Sequence, residues 1–296
     1  MKRKLTALLL SILFIPSTQP VFAGWSQCWR YTENGAVVRS CWRQLNGDWY
    51  YFDADGIMKT GWIYTGGKWY YCDAGGRMAI GWLTLDDGVY YLTNSGAMVD
   101  SCTMTIDGKR YRFTSSGRTI PLDSSELFSE KFTALSFDGK LTVLKELFPA
   151  GSYWNCTADT ERLNFVSVTG TPCSHGMTLE EYDRSRCHVY NGKTAEFLGV
   201  SECIQCLGFA SMVSDFLFGP DSGVEAFLDY SSLKPGDHVR LTKDQHSFIV
   251  LEKTDTYVTV LECNGDYQTC RIRWGRQIAA SALKRGEVIF LRRTDN

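Results

Sequence analysis

Beyond its N-terminus, the 296-residue chain has no apolar run approaching the length needed to cross a bilayer, which takes about 20 apolar residues as a helix. No basic stretch is present either, and the formal net charge is -2. Nucleic acid is therefore not an expected partner, because phosphate neutralisation needs clustered Lys and Arg. Cys203 and Cys206 form a C-x-x-C pair. No second pair stands at zinc-ribbon spacing, and no thioredoxin-like strand precedes this one. Neither a metal nor a cofactor is expected. Of only four histidines, His175, His188 and His238 lie in expected loops or at a strand edge, which leaves His246 as the candidate for chemistry.

Near the N-terminus, Lys2, Arg3 and Lys4 precede an apolar run from Leu5 to Ile15, interrupted only by Thr6 and Ser11. Val21-Phe22-Ala23 then places small residues at the two positions that a signal peptidase reads. Residues 1–23 are thus expected to be a signal peptide cleaved before Gly24. The mature chain is expected to be secreted, cell-surface or cell-wall associated, with no membrane segment after signal removal. In an exported chain, 11 cysteines suggest disulfides. The odd total leaves at least one thiol unpaired within a monomer.

From Cys41 the chain repeats about every twenty residues: CWRQLNGDWYYFDADGIMKT, GWIYTGGKWYYCDAGGRMAI, GWLTLDDGVYYLTNSGAMVD and SCTMTIDGKRYRFTSSGRTI, after a truncated WSQCWRYTENGAVV. Each copy sets two aromatic-rich strand patterns around a turn signal, namely Asn46-Gly47, Gly66-Gly67, Asp87-Gly88 and Asp107-Gly108. A lone hairpin is marginal in water, so the copies must stack to bury their aromatic faces, giving an elongated β-solenoid of hairpins. A thin solenoid cannot bury both faces. Some rings should therefore line grooves suited to quaternary ammonium groups or flat sugar faces.

GWIYTGGKWYYCDAGGRMAIGW resembles the cell-wall-binding repeat of choline-binding and glucan-binding surface proteins, over residues 24–120. The resemblance implies aromatic cages at Trp42, Trp49 and Trp62, and at Trp62, Trp69 and Trp82. It implies a cell-wall polymer as partner, either a choline-bearing teichoic acid or a glucan. Later copies depart from the pattern. Val89 and Arg110 stand where Trp49 and Trp69 stood, and Cys102 replaces the GW tryptophan, so these copies read as structural caps. Residues 121–136 read as a linker.

Residues 137–296 read as one α+β domain, a helix followed by an antiparallel sheet. CLGFASMVSDFLF places Phe209, Val213, Phe216 and Leu217 at helical spacing before Gly219-Pro220. Strand patterns follow at 238–242, 247–253, 257–262, 271–274 and 288–292. Cys206 opens the helix, where free N–H groups and the positive dipole end favour a thiolate. A cysteine amide hydrolase needs such a thiolate, an imidazole to carry the proton, and a third group to fix the imidazole tautomer. His246 begins a strand, and Glu262 and Asn264, two apart, share a face.

These segments resemble the CHAP family of peptidoglycan amidases and endopeptidases, within the papain-like and NlpC/P60-like group. The matching pieces are Gln205-Cys206-Leu207-Gly208-Phe209-Ala210, Pro235-Gly236-Asp237, HSFIVLEK and VTVLECN. The resemblance implies Cys206 as nucleophile, His246 as base, and Glu262 with Asn264 as the orienting pair. Family members usually carry glycine where this chain has Gln245.

Two functions are open from sequence. One is a peptidoglycan amidase or endopeptidase held near its substrate by the repeats. The other is a non-enzymatic, adhesin-like surface protein with an inactive papain-like domain. Cleavage of a host protein is a third and weaker option. With Cys206 set aside, ten cysteines allow bridges Cys263–Cys270, Cys173–Cys187 and Cys156–Cys203. In the repeats, Cys28–Cys41 with Cys72–Cys102 is one of three connectivities.

Overall fold

The computed structural model describes residues 24–25, 29–154, 168–172, 190–200, 205–263, 269–284 and 287–295. The expected signal peptide lies outside the described residues, as do Cys28, Cys156, Cys173, Cys187, Cys203 and Asn264. The chain forms two compact units, one ending at Ala79 and the other beginning at Ile80.

The first unit begins with a small antiparallel sheet of β1 (Gly24–Trp25), β2 (Tyr31–Glu33) and β3 (Ala36–Val37). Two hairpins follow: β4 (Cys41–Leu45) with β5 (Asp48–Phe52), and β6 (Gly61–Thr65) with β7 (Lys68–Cys72). Both turn residues of each hairpin have positive φ, at 54° and 96° for Asn46-Gly47 and 58° and 75° for Gly66-Gly67. Two left-handed residues match the twist of the flanking strands, which explains the asparagine and glycines there. After each hairpin an aspartate closes the next bend. Asp53 Oδ1 accepts from the backbone N–H of Asp55 and Ile57, and Asp73 Oδ1 from Gly75 and Arg77. A Cβ on Gly76 would come within 2.3 Å of Met58 Sδ, so the second glycine of that repeat admits the preceding repeat's methionine. Phe52, Val38 and Met58 form the local core.

The second unit opens with two more hairpins, β8 (Gly81–Leu85) with β9 (Gly88–Leu92) and β10 (Cys102–Ile106) with β11 (Lys109–Phe113), the latter extended by β12 (Thr119–Pro121). The third turn is Asp86-Asp87 rather than Asp87-Gly88, because Gly88 already pairs with Leu85. The ladders also correct the fourth copy. Cys102 pairs with Phe113 as Gly81 pairs with Leu92, so Thr103 stands at the tryptophan position and Cys102 at the glycine position.

Residues 121–136, expected to be a linker, are built into the unit. Asp123 caps α1 (Ser124–Leu127), and α2 (Glu130–Thr133) follows. Leu127, Phe132 and Leu135 are buried in one core cluster with Val89, Ile106, Tyr111, Phe113 and Ile120 of the hairpins. The same cluster holds Val143, Leu144 and Leu147 of α3 (Phe137–Leu147) and Phe209, Val213 and Phe216 further along. Each such large side chain, fully buried, contributes roughly 1.5–3 kcal/mol. Polar residues in 121–136 conceal three apolar anchors. Val89 is completely buried there, which accounts for the loss of the repeat tryptophan.

Beyond α3, β13 (Tyr153–Trp154) pairs with β14 (Val168–Thr169), and α4 (Lys193–Leu198) precedes α5 (Gln205–Phe218). Every residue of α5 from Cys206 to Leu217 is buried, as expected for a helix apolar on nearly all sides. The Lys140 ammonium donates to the Leu217 carbonyl at 2.8 Å, satisfying one of the last turn's free acceptors. The sheet is six-stranded and antiparallel. Its strands are β15 (Gly223–Phe227), β16 (His238–Leu241), β17 (His246–Lys253), β18 (Tyr257–Cys263), β19 (Ile272–Ala279) and β20 (Val288–Thr294), in the order β15-β20-β16-β17-β18-β19. Ile249, Leu261 and Ile272 share the core cluster of α5, while Phe248, Val250, Val258 and Val260 pack with Leu283 and Phe290. This alternation follows from the period of two along a strand. Among the described residues no helix is long and apolar enough to cross a membrane.

Candidate functional site

Three of the residues singled out from sequence meet in the second unit. Cys206, in the first turn of α5, is 5% exposed, His246 is 1% exposed, and Glu262 has no exposed surface. His246 Nε2 and Glu262 Oε2 are 2.8 Å apart. Arg276 Nη2 donates to the same oxygen at 2.6 Å, and Arg273 Nη1 lies 4.0 Å from Oε1. Burial alone would raise the Glu262 carboxyl, but hydrogen bonds from His246 and Arg276 hold it below the ordinary carboxylate range. Burial would likewise lower the His246 imidazole, yet hydrogen bonds to Cys206 and Glu262 raise it from 6.5 to about 9. The imidazole therefore stays protonated at neutral pH between a sulfur and a buried carboxylate. Such a ring can hold charge opposite a thiolate and deliver a proton to a leaving group.

Local backbone fixes this meeting. Cys206 Sγ donates to the Gln245 carbonyl at 3.6 Å. Arg240 Nη1 donates to that carbonyl at 2.7 Å and Nη2 to Gln245 Oε1 at 2.5 Å. Gln245 has φ 50° and Gln205 has φ 51°. A left-handed residue thus stands immediately before each of the two candidate catalytic side chains. Glycine would meet no steric cost at position 245. The Pro235-Gly236-Asp237 turn is a brace. Asp237, 2% exposed, accepts from Lys234 N and from two nitrogens of Arg292, at 2.8, 2.9 and 2.7 Å. The sequence does not single out Arg276 and Arg292, whose partners are 14 and 55 residues away, nor Arg240, whose partner Gln245 lies across a turn.

In the first unit, the ladders put Trp42, Trp49 and Tyr51 on one face of their hairpin, and Trp62, Tyr64, Trp69 and Tyr71 on the equivalent face of the next. Trp49 and Trp69 are 41% and 43% exposed, whereas Trp42 and Trp62 are half-buried. Trp42 contacts Tyr51 and Tyr70, each at 5.1 Å between centroids, and Trp62 contacts Trp69 at 6.3 Å and Tyr71 at 5.3 Å. Tyr51, Tyr70 and Tyr71 of the WYY triplets therefore belong to these ring groups alongside the tryptophans. Trp82 belongs to the second unit, where its ring meets Tyr91 at 5.0 Å and Tyr111 at 4.8 Å.

The disulfide scheme is corrected where it can be followed. Cys72 and Cys102 are free thiols. Cys72 is completely buried in the position that Phe52 and Leu92 occupy in their hairpins, and burial pushes its thiol up to about 12. Cys102 is exposed, and Cys41, half-buried, is also a free thiol. No bridge links Cys263 to Cys270; both side chains are buried in the large core cluster, where cysteine behaves as a small apolar residue. Among the described residues no group of three or more His, Cys, Asp or Glu is arranged to hold a metal ion.

Residues 38–80 and 60–102 match the choline-binding repeat family. A comparison with curated proteins gave no significant match. Among solved structures, the chain is similar to choline binding protein F from Streptococcus pneumoniae, at 36% identity over 33% of this chain and 41% of that one, TM-score 0.26. It is similar to the modular autolysin LytC of Streptococcus pneumoniae, at 33% identity over 32% of this chain and 22% of that one, TM-score 0.28. The choline binding domain of Spr1274 from Streptococcus pneumoniae is 36% identical over 27% of this chain and 92% of that one, TM-score 0.24. The chain thus spans less than half the length of the first two proteins. The chain carries choline-binding repeats, the class of module that directs proteins to cell walls.

Proposed function

We propose that this protein is a cell-wall-directed cysteine amidohydrolase that cleaves an amide bond in peptidoglycan, with its repeats engaging a choline-bearing wall polymer. The observation that carries the reading is the buried series Cys206, His246 and Glu262. A thiol at a helix N-terminus meets an imidazole whose far nitrogen is held by a buried carboxylate. In this scheme the Cys206 sulfur attacks the scissile carbonyl, His246 protonates the departing amine, and water then releases the acyl group with His246 as base. Glu262 positions the ring and, with Arg276, keeps its charge balanced. The CHAP-like segments around Cys206, Asp237, His246 and Glu262 support the same assignment, and Asn264 is proposed as a second positioning residue. A repeat module raises local substrate concentration without altering the active site. A choline-bearing teichoic acid is preferred over a glucan as the anchor because the matched repeats are of the choline-binding family. Limited alkylation of the mature chain with iodoacetamide at neutral pH, followed by peptide mapping, tests the nucleophile. Labelling of Cys206 ahead of the buried Cys72, lost in His246→Ala, is expected; equal labelling of both thiols would contradict the assignment.

A further inference from the structure

The third hairpin of the repeat series carries a ring group of its own. Trp82, Tyr91 and Tyr111 form a ring group at 5.0 and 4.8 Å. It reproduces the trio of Trp42, Tyr51 and Tyr70, since Trp82 pairs with Tyr91 as Trp42 pairs with Tyr51. Tyr111 also holds the third position of its strand, as Tyr70 does. The Lys131 ammonium lies 4.9 Å from the Trp82 ring centroid and 5.8 Å from that of Tyr111. It also donates to Glu126 Oε2 at 2.9 Å. Glu126 is 2% exposed and accepts in addition from the Tyr111 hydroxyl at 2.5 Å and from Lys109. Burial opposes its charge, but these three donors hold its carboxyl at about 2. A cation over ring faces beside a fixed carboxylate is the environment that recognises an alkylammonium group.

We propose that Lys131 is a resident ligand of this aromatic site. Its ammonium takes the place that an external quaternary ammonium would take, which closes the third repeat site to choline and ties the repeats to the segment 121–136. That segment, polar in composition, is thereby a fastening rather than a spacer. The inference is independent of whether Cys206 is catalytic.

The test uses the full mature chain with choline chloride as probe, counting sites by equilibrium dialysis. Lys131→Met is expected to gain one choline site over the wild type, and Tyr91→Leu in that background to remove it. An equal count in wild type and Lys131→Met, or a gained site that survives Tyr91→Leu, overturns the proposal. Should a variant fail to fold, proton spectra of the wild type decide. Lys131 ε-methylene resonances shifted upfield by the rings support the resident ligand, and unshifted resonances refute it.

Discussion

Gln205 and Gln245, the residues directly before Cys206 and His246, both hold left-handed backbone, at φ 51° and 50°. Left-handed backbone costs a non-glycine residue roughly 1–2 kcal/mol, so the surrounding contacts must enforce it. At Gln245 those contacts are the two hydrogen bonds from Arg240 and one donated by its own amide to the Thr242 carbonyl at 2.5 Å. The carbonyl so placed is the one that receives the Cys206 thiol.

Position 245 is therefore expected to separate backbone from side chain. Gln245→Gly should keep most activity and lose less than about 1 kcal/mol of stability, because relief of backbone strain offsets the lost hydrogen bonds. Gln245→Val should lose at least about 2 kcal/mol and most activity, since a β-branched residue resists φ near 50°. Urea denaturation and wall-hydrolysis rates of the two variants check this. Equal damage from both would mean that the side chain, and not the backbone, matters there.

The pH dependence follows from His246. Its imidazole is raised from 6.5 to about 9 in the folded protein, so its contribution to stability is fully present below 6.5 and is lost as pH rises towards 9. Activity should fall along an alkaline limb near pH 9, where the proton is lost. Glu262→Gln removes the buried negative charge beside Nε2, and the limb should move to lower pH with kcat reduced about 10²-fold or more. Titration of the His246 ring by NMR in both proteins checks the shift independently of activity. An unmoved midpoint would remove Glu262 from the positioning role.

In the repeats, Trp62→Ala should weaken binding of the wall polymer more than Trp25→Ala. Trp62 meets Trp69, one of the two exposed tryptophans of its unit's hairpins, and Tyr71, while Trp25 lies in the truncated first copy. Equal losses in a pull-down with purified walls would count against tryptophan cages as the binding sites.

Much of this organisation is legible in the sequence. The twenty-residue period and its Asn-Gly and Gly-Gly turns define the hairpins, and the apolar runs in HSFIVLEK and YVTVLEC read as strands, while only the structure shows their alternate residues entering different cores. Cys206, His246 and Glu262 were reached from helix start, strand start and shared face. What stayed hidden depended on distance in the chain. Arg276, fourteen residues past Glu262, reaches it only through strand pairing. Residues 121–136 look like a spacer because Leu127, Phe132 and Leu135 carry no sustained period, yet all three are buried. Cysteines close in sequence suggested bridges, but Cys72 fills a core position that is phenylalanine or leucine in sister hairpins.

One measurement tests Cys206 as nucleophile directly. Purified choline-bearing cell walls are incubated with the mature wild-type chain and with Cys206→Ala, and the soluble products are analysed by mass. Wild type is expected to release fragments with one newly hydrolysed amide bond, and Cys206→Ala to bind the walls equally while releasing none. Fragment release by Cys206→Ala at the wild-type rate, or none by the wild type, would contradict that assignment.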